Sequence, residues 1–314
     1  MRFSLTMPNN TRVRALAQPW ELGVGPDQIV VAARQAEALG FHRITVGEHL
    51  TIPASHVEAS GSHYMHATTA LGFLAGATSR IRIGSNVTLL ALQHPIVQAK
   101  QWAVLDWLSG GRADCLIGVG WLEDEFDALG VDFHRRGRLT DEHVEAMIEI
   151  WTRPVAGFAG ASVRFDGVTS EPKPVQRPHV PLGFAGDTDA TVRRMARWGT
   201  TWSPFQTPPE QIPRRLDEIR SHPQYHGRPV DVFLSMSTLK IADGHRPKPT
   251  GLDFDTWDAD EFGDIIGWLA GLGVTEVAPT IPAVRDFSHY LDRLAWISEE
   301  IMPRFPDPPA EESR

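Results

Sequence analysis

The sequence predicts an α/β protein, a closed (β/α)8 TIM barrel, with an inserted hairpin region over residues 154–181. Short apolar runs alternate with amphipathic helical patterns about eight times, and strand–helix–strand crossovers imply parallel neighbours. The chain has 314 residues, a length that suits one large barrel. No repeat beyond that alternation and no convincing internal boundary appears, so residues 1–314 read as a single domain.

Residues 2–7 alternate around Phe3 and Leu5 and read as the first strand, stopped by Pro8-Asn9-Asn10. Pro26-Asp27 opens a helix with Ile29, Val30, Ala33, Ala36 and Leu39 on one face, closed by Gly40. Residues 44–46 form a short strand that runs into Gly47-Glu48-His49-Leu50, followed by a loop rich in His and Ser and a helix within 64–77. The stretch 80–130 organises the rest. It holds a β-rich run over 81–92, broken by Gly84 and Asn86, where glycine marks a bulge or a close approach. His94-Pro95 then opens a helix whose stripe is Val97, Val104, Leu105 and Leu108, ended by Ser109-Gly110-Gly111. A further strand follows over 113–119.

Thr140-Asp141 is expected to cap a helix bearing Val144, Met147, Ile148 and Trp151 at helical spacing. In the insertion, Val163 and Phe165 precede Asp166-Gly167, a strong turn signal. A strand over 180–185 leads to Gly186, and Asp187 is expected to cap the helix after it. Then come a short strand at 201–203, a helix over 209–220 and a longer strand over 230–241. A loop spans 244–251. Phe262, Ile265, Ile266, Leu269 and Leu272 mark a helix; the last strand is 274–279 and the last helix 287–301, stopped by Pro303. The Pro- and acid-rich tail after Phe305 reads as frayed.

Composition excludes several classes. Hydrophobic residues make up 42% and charged residues 22%, ordinary for a globular protein. The formal net charge of −9 disfavours a nucleic-acid surface. The single cysteine, Cys115, has no internal partner and sits in an apolar run, so it reads as a small buried hydrophobe in a reducing compartment. No run approaches membrane-spanning length and no leader pattern opens the chain, which leads to the expectation of a cytoplasmic protein without membrane or nucleic-acid partners.

Several segments resemble the luciferase-like flavin and deazaflavin oxidoreductases, the bacterial luciferase-like monooxygenase superfamily with its coenzyme F420-dependent branch. They are ATSRIRIG (77–84), HPIVQAKQ (94–101), LDWLSGGR (105–112) and GVGW followed by EDEFDALG (118–130). Weaker echoes are MRFSLTMPN (1–9), GFHRITVGEHL (40–50), PLGFAGDTDATVRRMARWG (181–199) and GLGVTEVAP (271–279). The resemblance implies the barrel fold, a flavin-type coenzyme (F420, or alternatively FMN), a small-molecule substrate and possible homodimers.

Active sites of such barrels lie at the carboxyl ends of the strands, which directs attention to the residues just after each strand. Glu48-His49 is the sharpest titratable pair. A histidine gives or takes a proton near neutral pH, so His49 is the acid–base candidate for the substrate heteroatom. Otherwise it merely hydrogen-bonds the loop. The resemblance places an acid beside that histidine, more often Asp than the Glu48 found here. At Ser85-Asn86-Val87 it implies a bulge with a non-prolyl cis peptide behind the coenzyme ring; the alternative is a regular buried strand.

Ala185-Gly186-Asp187-Thr188 opens a helix directly after a strand, a place where free N–H groups cradle a phosphate. Here Ala185 replaces one of the usual glycines, and Asp187 adds a negative charge that competes for those donors if it is the cap. Arg193, Arg194 and Arg197 either offset it or are solvated. Gly118, Gly120 and Trp121 allow a ring to approach the backbone, with Trp121 as wall, or else reflect tight packing. The basic run from His134 to Arg138 either receives an acidic coenzyme tail or is a solvated loop. His56, His63 and His66 with Glu58 fit no standard metal-ligand spacing, so no metal is expected. The resemblance implies a coenzyme F420-dependent oxidoreductase transferring hydride between the deazaflavin and a small organic substrate; the rivals are an FMN-dependent monooxygenase, a metal-dependent barrel hydrolase and a non-catalytic flavin-binding relative.

Overall fold

The computed structural model describes residues 1–249 and 254–306. Eight parallel strands close into a barrel: β1 Arg2–Thr6, β2 Arg43–Val46, β3 Arg82–Ser85, β4 Ala113–Gly118, β5 Leu182–Ala185, β6 Thr201–Ser203, β7 Asp231–Ser235 and β8 Glu276–Ala278. Closure is explicit in the register, with Arg2 opposite Glu276 and Ser4 opposite Arg43. The outer ring is α1 Pro26–Ala38, α2 Ala67–Ala77, α3 Pro95–Ser109, α4 Arg136–Thr152, α5 Asp189–Arg197, α6 Ile212–Ser221, α7 Ala259–Gly271 and α8 Phe287–Trp296. The predicted fold class is therefore observed. Among the described residues no helix is long and apolar enough to cross a membrane. The tail expected to fray lies, beyond residue 306, outside the described residues, as does part of the loop at 244–251.

A charged layer fills the barrel interior near the start of its strands. Arg43 on β2 meets Glu276 on β8 through Nε–Oε1 at 3.0 Å and Nη2–Oε2 at 2.5 Å. Its Nη1 lies 3.5 Å from Asp114 Oδ2, and its guanidinium stands 5.0 Å over the Phe233 ring. Arg82 also pairs with Asp114. Burial opposes the charge on Arg43, but Glu276 and Asp114 more than offset it, so its pKa stands above the usual guanidinium value. Gly84 belongs to this layer: a Cβ there would meet Arg43 Cδ at 3.0 Å. The glycine expected to admit a bulge or ligand instead gives room to an arginine crossing the barrel.

The third strand is interrupted where expected. Gly84 pairs Asp114 and Thr88 pairs Ile117, so this strand advances four residues (84 to 88) while β4 advances three (114 to 117). One extra residue in one strand is a bulge. The Asn86–Val87 peptide is cis. Ser85 Oγ bridges the break, donating to Leu116 O at 2.8 Å and accepting from Leu116 N at 3.0 Å. The Val87 side chain packs on Leu116, Phe233 and Ala278, which form the apolar layer above the charged one.

Several boundaries differ from the sequence reading. The helical stripe of α3 is rotated: Val97 and Leu108 are exposed, while Gln98, Ala99, Trp102, Ala103, Leu105 and Asp106 are buried. Asp106 is buried because it accepts from the backbone N–H groups of Val175 and Gln176 and from the Gln176 side chain. Helix α4 starts at Arg136, leaving Thr140 inside it with its hydroxyl bonded to Arg136 O. The insertion does form a hairpin, Ala156–Ala159 with Arg164–Val168. Its turn lies at 160–163 and not at Asp166-Gly167, because Glu142 on α4 accepts from Ser162 N and Val163 N at 2.7 Å each. The strand expected over 230–241 ends at Ser235 and continues as a 3-10 turn, Met236–Lys240.

Removing one member of a buried ion pair strands the other charge. Arg43→Met is expected to lower the unfolding free energy by about 3–5 kcal/mol, read from the midpoint and slope of urea denaturation. A loss under about 1 kcal/mol, the range of exposed pairs, removes the layer's structural role.

Candidate active site at the carboxyl end of the barrel

Two buried carboxylates organise the rim beside the bulge. Glu48 follows β2 and is 6% exposed. Its Oε1 accepts from Ala67 N, the first residue of α2, at 3.0 Å. Its Oε2 accepts from Thr88 Oγ1 at 2.8 Å and Leu89 N at 3.4 Å. Glu48 thus ties the start of α2 to the far side of the bulge and does not pair with the ring of His49. The acid that meets His49 is Glu125, on the short helix Glu123–Ala128 after β4. Its side chain is 0% exposed, and its Oε2 lies 2.7 Å from His49 Nδ1. Its Oε1 accepts from Leu50 N at 2.7 Å and Thr51 N at 3.3 Å.

This contact uses Nδ1 of His49 and turns Nε2 away from Glu125. Aromatic rings surround that histidine. Tyr64 is 4.7 Å away, and Trp121 and His245 are each 6.2 Å away, all edge-on. Trp121 also contacts His56 and His245, so it walls this group. His245 comes from the loop after β7, far along the chain. It holds a left-handed backbone, φ 59°, with Nδ1 3.0 Å from Ser60 Oγ. Burial, reinforced by His49 beside it, holds its pKa down at about 4. Burial also pushes the Tyr64 hydroxyl well above its usual range.

The two glycines after β4 are occupied by the chain's own packing. A Cβ on Gly118 would stand 2.5 Å from the Val87 side chain, and one on Gly120, at φ +80°, 2.6 Å from the Phe126 ring. Asn86 is flanked by Gly47, where a Cβ would meet its carbonyl oxygen at 3.0 Å.

The residues after β5 form a second group on the rim. Thr188, not Asp187, caps α5, accepting from Thr191 N. Asp187 turns to the neighbouring loop: its carboxylate accepts from the backbone N–H groups of Phe205, Gln206 and Thr207 and from the Thr207 hydroxyl. Its charge is therefore met away from the start of α5. Ala185 ends β5, and Gly186 holds φ +123° with its N–H on Ser203 O. Arg193 and Arg194 pair with Asp141, and Arg197 with Glu145, so these cations bind α4. In the basic run, Arg136 donates to Gly120 O and Phe133 O and covers the Phe133 ring, while Arg135 donates to Ser162. His63 bonds Asn9 O and His66 contacts Thr69 and Gln93. Among the described residues no group of three or more His, Cys, Asp or Glu side chains could hold a metal ion.

Sequence reasoning missed Glu125, Tyr64 and His245. Glu125 stands among three consecutive acids, and only its place before the buried Phe126 hints which one turns inward. No local pattern singles out His245.

Two outcomes test this geometry. Glu125→Ala leaves the Leu50 amide without its acceptor, a loss of about 1–3 kcal/mol; its hydrogen exchange should quicken by roughly tenfold or more. For His245 the folded state binds fewer protons than the unfolded chain between about pH 6.5 and pH 4. Stability therefore falls as pH drops through that window, and His245→Gln should fall less steeply. Parallel melting-temperature curves would contradict this.

The family model for luciferase-like monooxygenases matches residues 1–245. An uncharacterized protein of Mycobacterium tuberculosis is 33% identical over 282 residues, covering 84% of this chain and 91% of that one. An FMNH2-dependent dimethylsulfone monooxygenase of Pseudomonas putida is 32% identical over 163 residues, 51% of this chain and 44% of that one. Among solved structures, the monooxygenase RslO1 of Streptomyces bottropensis superimposes with TM-score 0.76 at 24% identity, covering 98% and 100% of the two chains. The coenzyme F420-dependent tetrahydromethanopterin reductase of Methanopyrus kandleri gives 0.72 at 17% identity, covering 97% and 99%. This chain belongs to the luciferase-like family of flavin- and F420-dependent monooxygenases and oxidoreductases.

Proposed function

We propose that this protein moves hydride between coenzyme F420 and a small organic substrate, with His49 handling the accompanying proton. The observation that carries this reading is the Glu125–His49 pair: on the rim of the barrel, Nδ1 of His49 lies 2.7 Å from a fully buried carboxylate. A carboxylate hydrogen-bonded to one ring nitrogen orients an imidazole, the arrangement a general acid–base needs.

The rim suits a flavin-type ring. The bulge at 85–87 supplies a platform and Trp121 an aromatic wall. At α5 the Asp187 charge is satisfied by the 205–207 loop and does not compete for the first turn, where Thr188 takes the Thr191 N–H and the Asp189 and Ala190 N–H groups remain for a phosphate. When bound, the coenzyme supplies or accepts a hydride. As hydride reaches or leaves the substrate carbon, His49 gives or takes the proton of the attached oxygen through Nε2. Glu125 stabilises the imidazolium in between, and Glu48 keeps the bulge and α2 in register without touching the proton.

An FMN-dependent monooxygenase is the second reading, favoured by the name of the Pseudomonas putida relative. Titration of the purified protein with each coenzyme, followed by tryptophan fluorescence, separates them. Coenzyme F420 is expected to bind at least about tenfold tighter, a difference of ~1.4 kcal/mol; tighter FMN binding reverses the choice. His49→Asn is expected to lower the rate of coenzyme reduction or oxidation by about 10²–10⁴-fold at unchanged coenzyme affinity. Full activity in that variant removes His49 from the chemistry.

A further inference from the structure

A cleft of about 330 Å³ opens on the other side of β1 from His49, between the loops that follow β1, β7 and β8. Its size is at the low end of the ~300–1,000 Å³ typical of small-molecule sites. Neither His49, Trp121 nor any residue of the 185–188 segment lines it. It nevertheless adjoins the bulge. Ala278 lines it and also packs against Val87. Asn10 lines it and accepts from Gly47 N at 3.1 Å, and Gly47 lies against the Asn86 carbonyl.

The charges in its wall are already matched. Lys240 Nζ lies 2.6 Å from Asp255 Oδ2. Glu21 accepts from Asn9 N and Gln18 N, each at 2.9 Å. An ionic ligand would have to displace one of these contacts or be buried without a counter-charge, which is expensive. The net charge of −9 also repels anions at a distance. One neutral group in the wall is left open. Tyr290 is 1% exposed, and its hydroxyl has no hydrogen-bond partner among the described residues. Burial keeps that hydroxyl protonated, pushing its pKa far above the usual range, so it is a donor in want of an acceptor. The Ser235 and Ser237 hydroxyls bond each other at 3.0 Å. Trp20, 5.0 Å from the Tyr290 ring, adds a flat apolar wall with Leu16 and Ile281.

We propose that this cleft is the substrate compartment and that it selects an uncharged, ring-containing molecule bearing hydroxyl or carbonyl oxygens, one of them received by Tyr290. The apolar face then lies on Trp20, and the reacting end extends beyond the cleft, past Asn10 and the Gly47 it holds, toward His49, which does not itself line the cleft. This assignment rests on the oxidoreductase reading above, but its test does not need turnover.

The test measures binding of three probes by calorimetry and saturation-transfer NMR, with and without the oxidised coenzyme. The probes are 4-hydroxycyclohexanone, the anionic 4-hydroxycyclohexanecarboxylate and the cationic 4-aminocyclohexanol. The neutral probe is expected to bind, and each charged analogue at least about tenfold more weakly. Tyr290→Phe, which keeps the ring, is expected to weaken the neutral probe by about 3–10-fold. Ala15→Trp, which fills the cleft, is expected to abolish probe binding and leave coenzyme affinity unchanged. Equal or tighter binding of a charged analogue, or no binding of the neutral probe in either form, overturns the proposal. So does an Ala15→Trp protein that keeps the probe and loses the coenzyme, which would assign the cleft to the coenzyme. Failure of the wild-type protein to bind either coenzyme would instead sink the oxidoreductase reading, with the probe results standing on their own.

Discussion

Everything about the candidate site depends on one buried carboxylate. Glu125 has no solvent contact, yet each of its oxygens is used: one faces the His49 ring, the other takes the N–H groups of Leu50 and Thr51. A buried charge persists only where hydrogen bonds replace lost water. The three donors come from the loop after β2, so the requirement runs both ways. The loop adopts its path because the carboxylate needs it, and the histidine is oriented because the loop is fixed. Glu48 does the same one position earlier, joining α2 to the segment beyond the bulge.

Lower in the barrel a comparable rule governs Arg43. Its guanidinium reaches Glu276; Arg43 on β2 stands opposite Ser4 of β1, and β1 pairs in turn with β8, so one ion pair spans three neighbouring strands. The space it needs is made by Gly84. The bulge begins two residues later, and the apolar layer of Leu116, Phe233 and Ala278 separates the charged floor from Val87. The platform at the mouth is therefore set on a floor whose geometry is fixed by charge pairing, not by apolar packing alone.

How far the site was legible depended on the kind of signal. The bulge showed in the chain because Gly84 and Asn86 interrupt an apolar run. His49 showed because a titratable residue stands just after a strand. The partner of His49 was misassigned to its neighbour Glu48, since adjacent residues in a chain are the easiest to pair on paper, whereas adjacent side chains after a strand point different ways. Asp187 was read as a helix cap from its position; its carboxylate found four donors in the 205–207 loop, and Thr188 capped the helix instead. The stripe on α3 was misread because Asp106, a polar residue, takes the buried face through hydrogen bonds that no periodicity of apolar residues reveals, with Gln98 buried beside it.

By itself the sequence determined the alternation of strands and helices, and hence the barrel, because side-chain periodicity is local and each element must bury one face. It also located the ends of most strands, though not of the one expected over 230–241, which stops at Ser235, and so the rim on which the candidate residues lie. The tertiary structure alone decided which acid meets the His49 ring, that His245 arrives from the loop after β7 to stand 6.2 Å away, and that a cleft whose charged groups are paired lies across β1. Those facts follow from contacts between residues far apart in the chain. Pairing energies of that kind depend on distance and burial in the folded state, and neither is written in the order of residues.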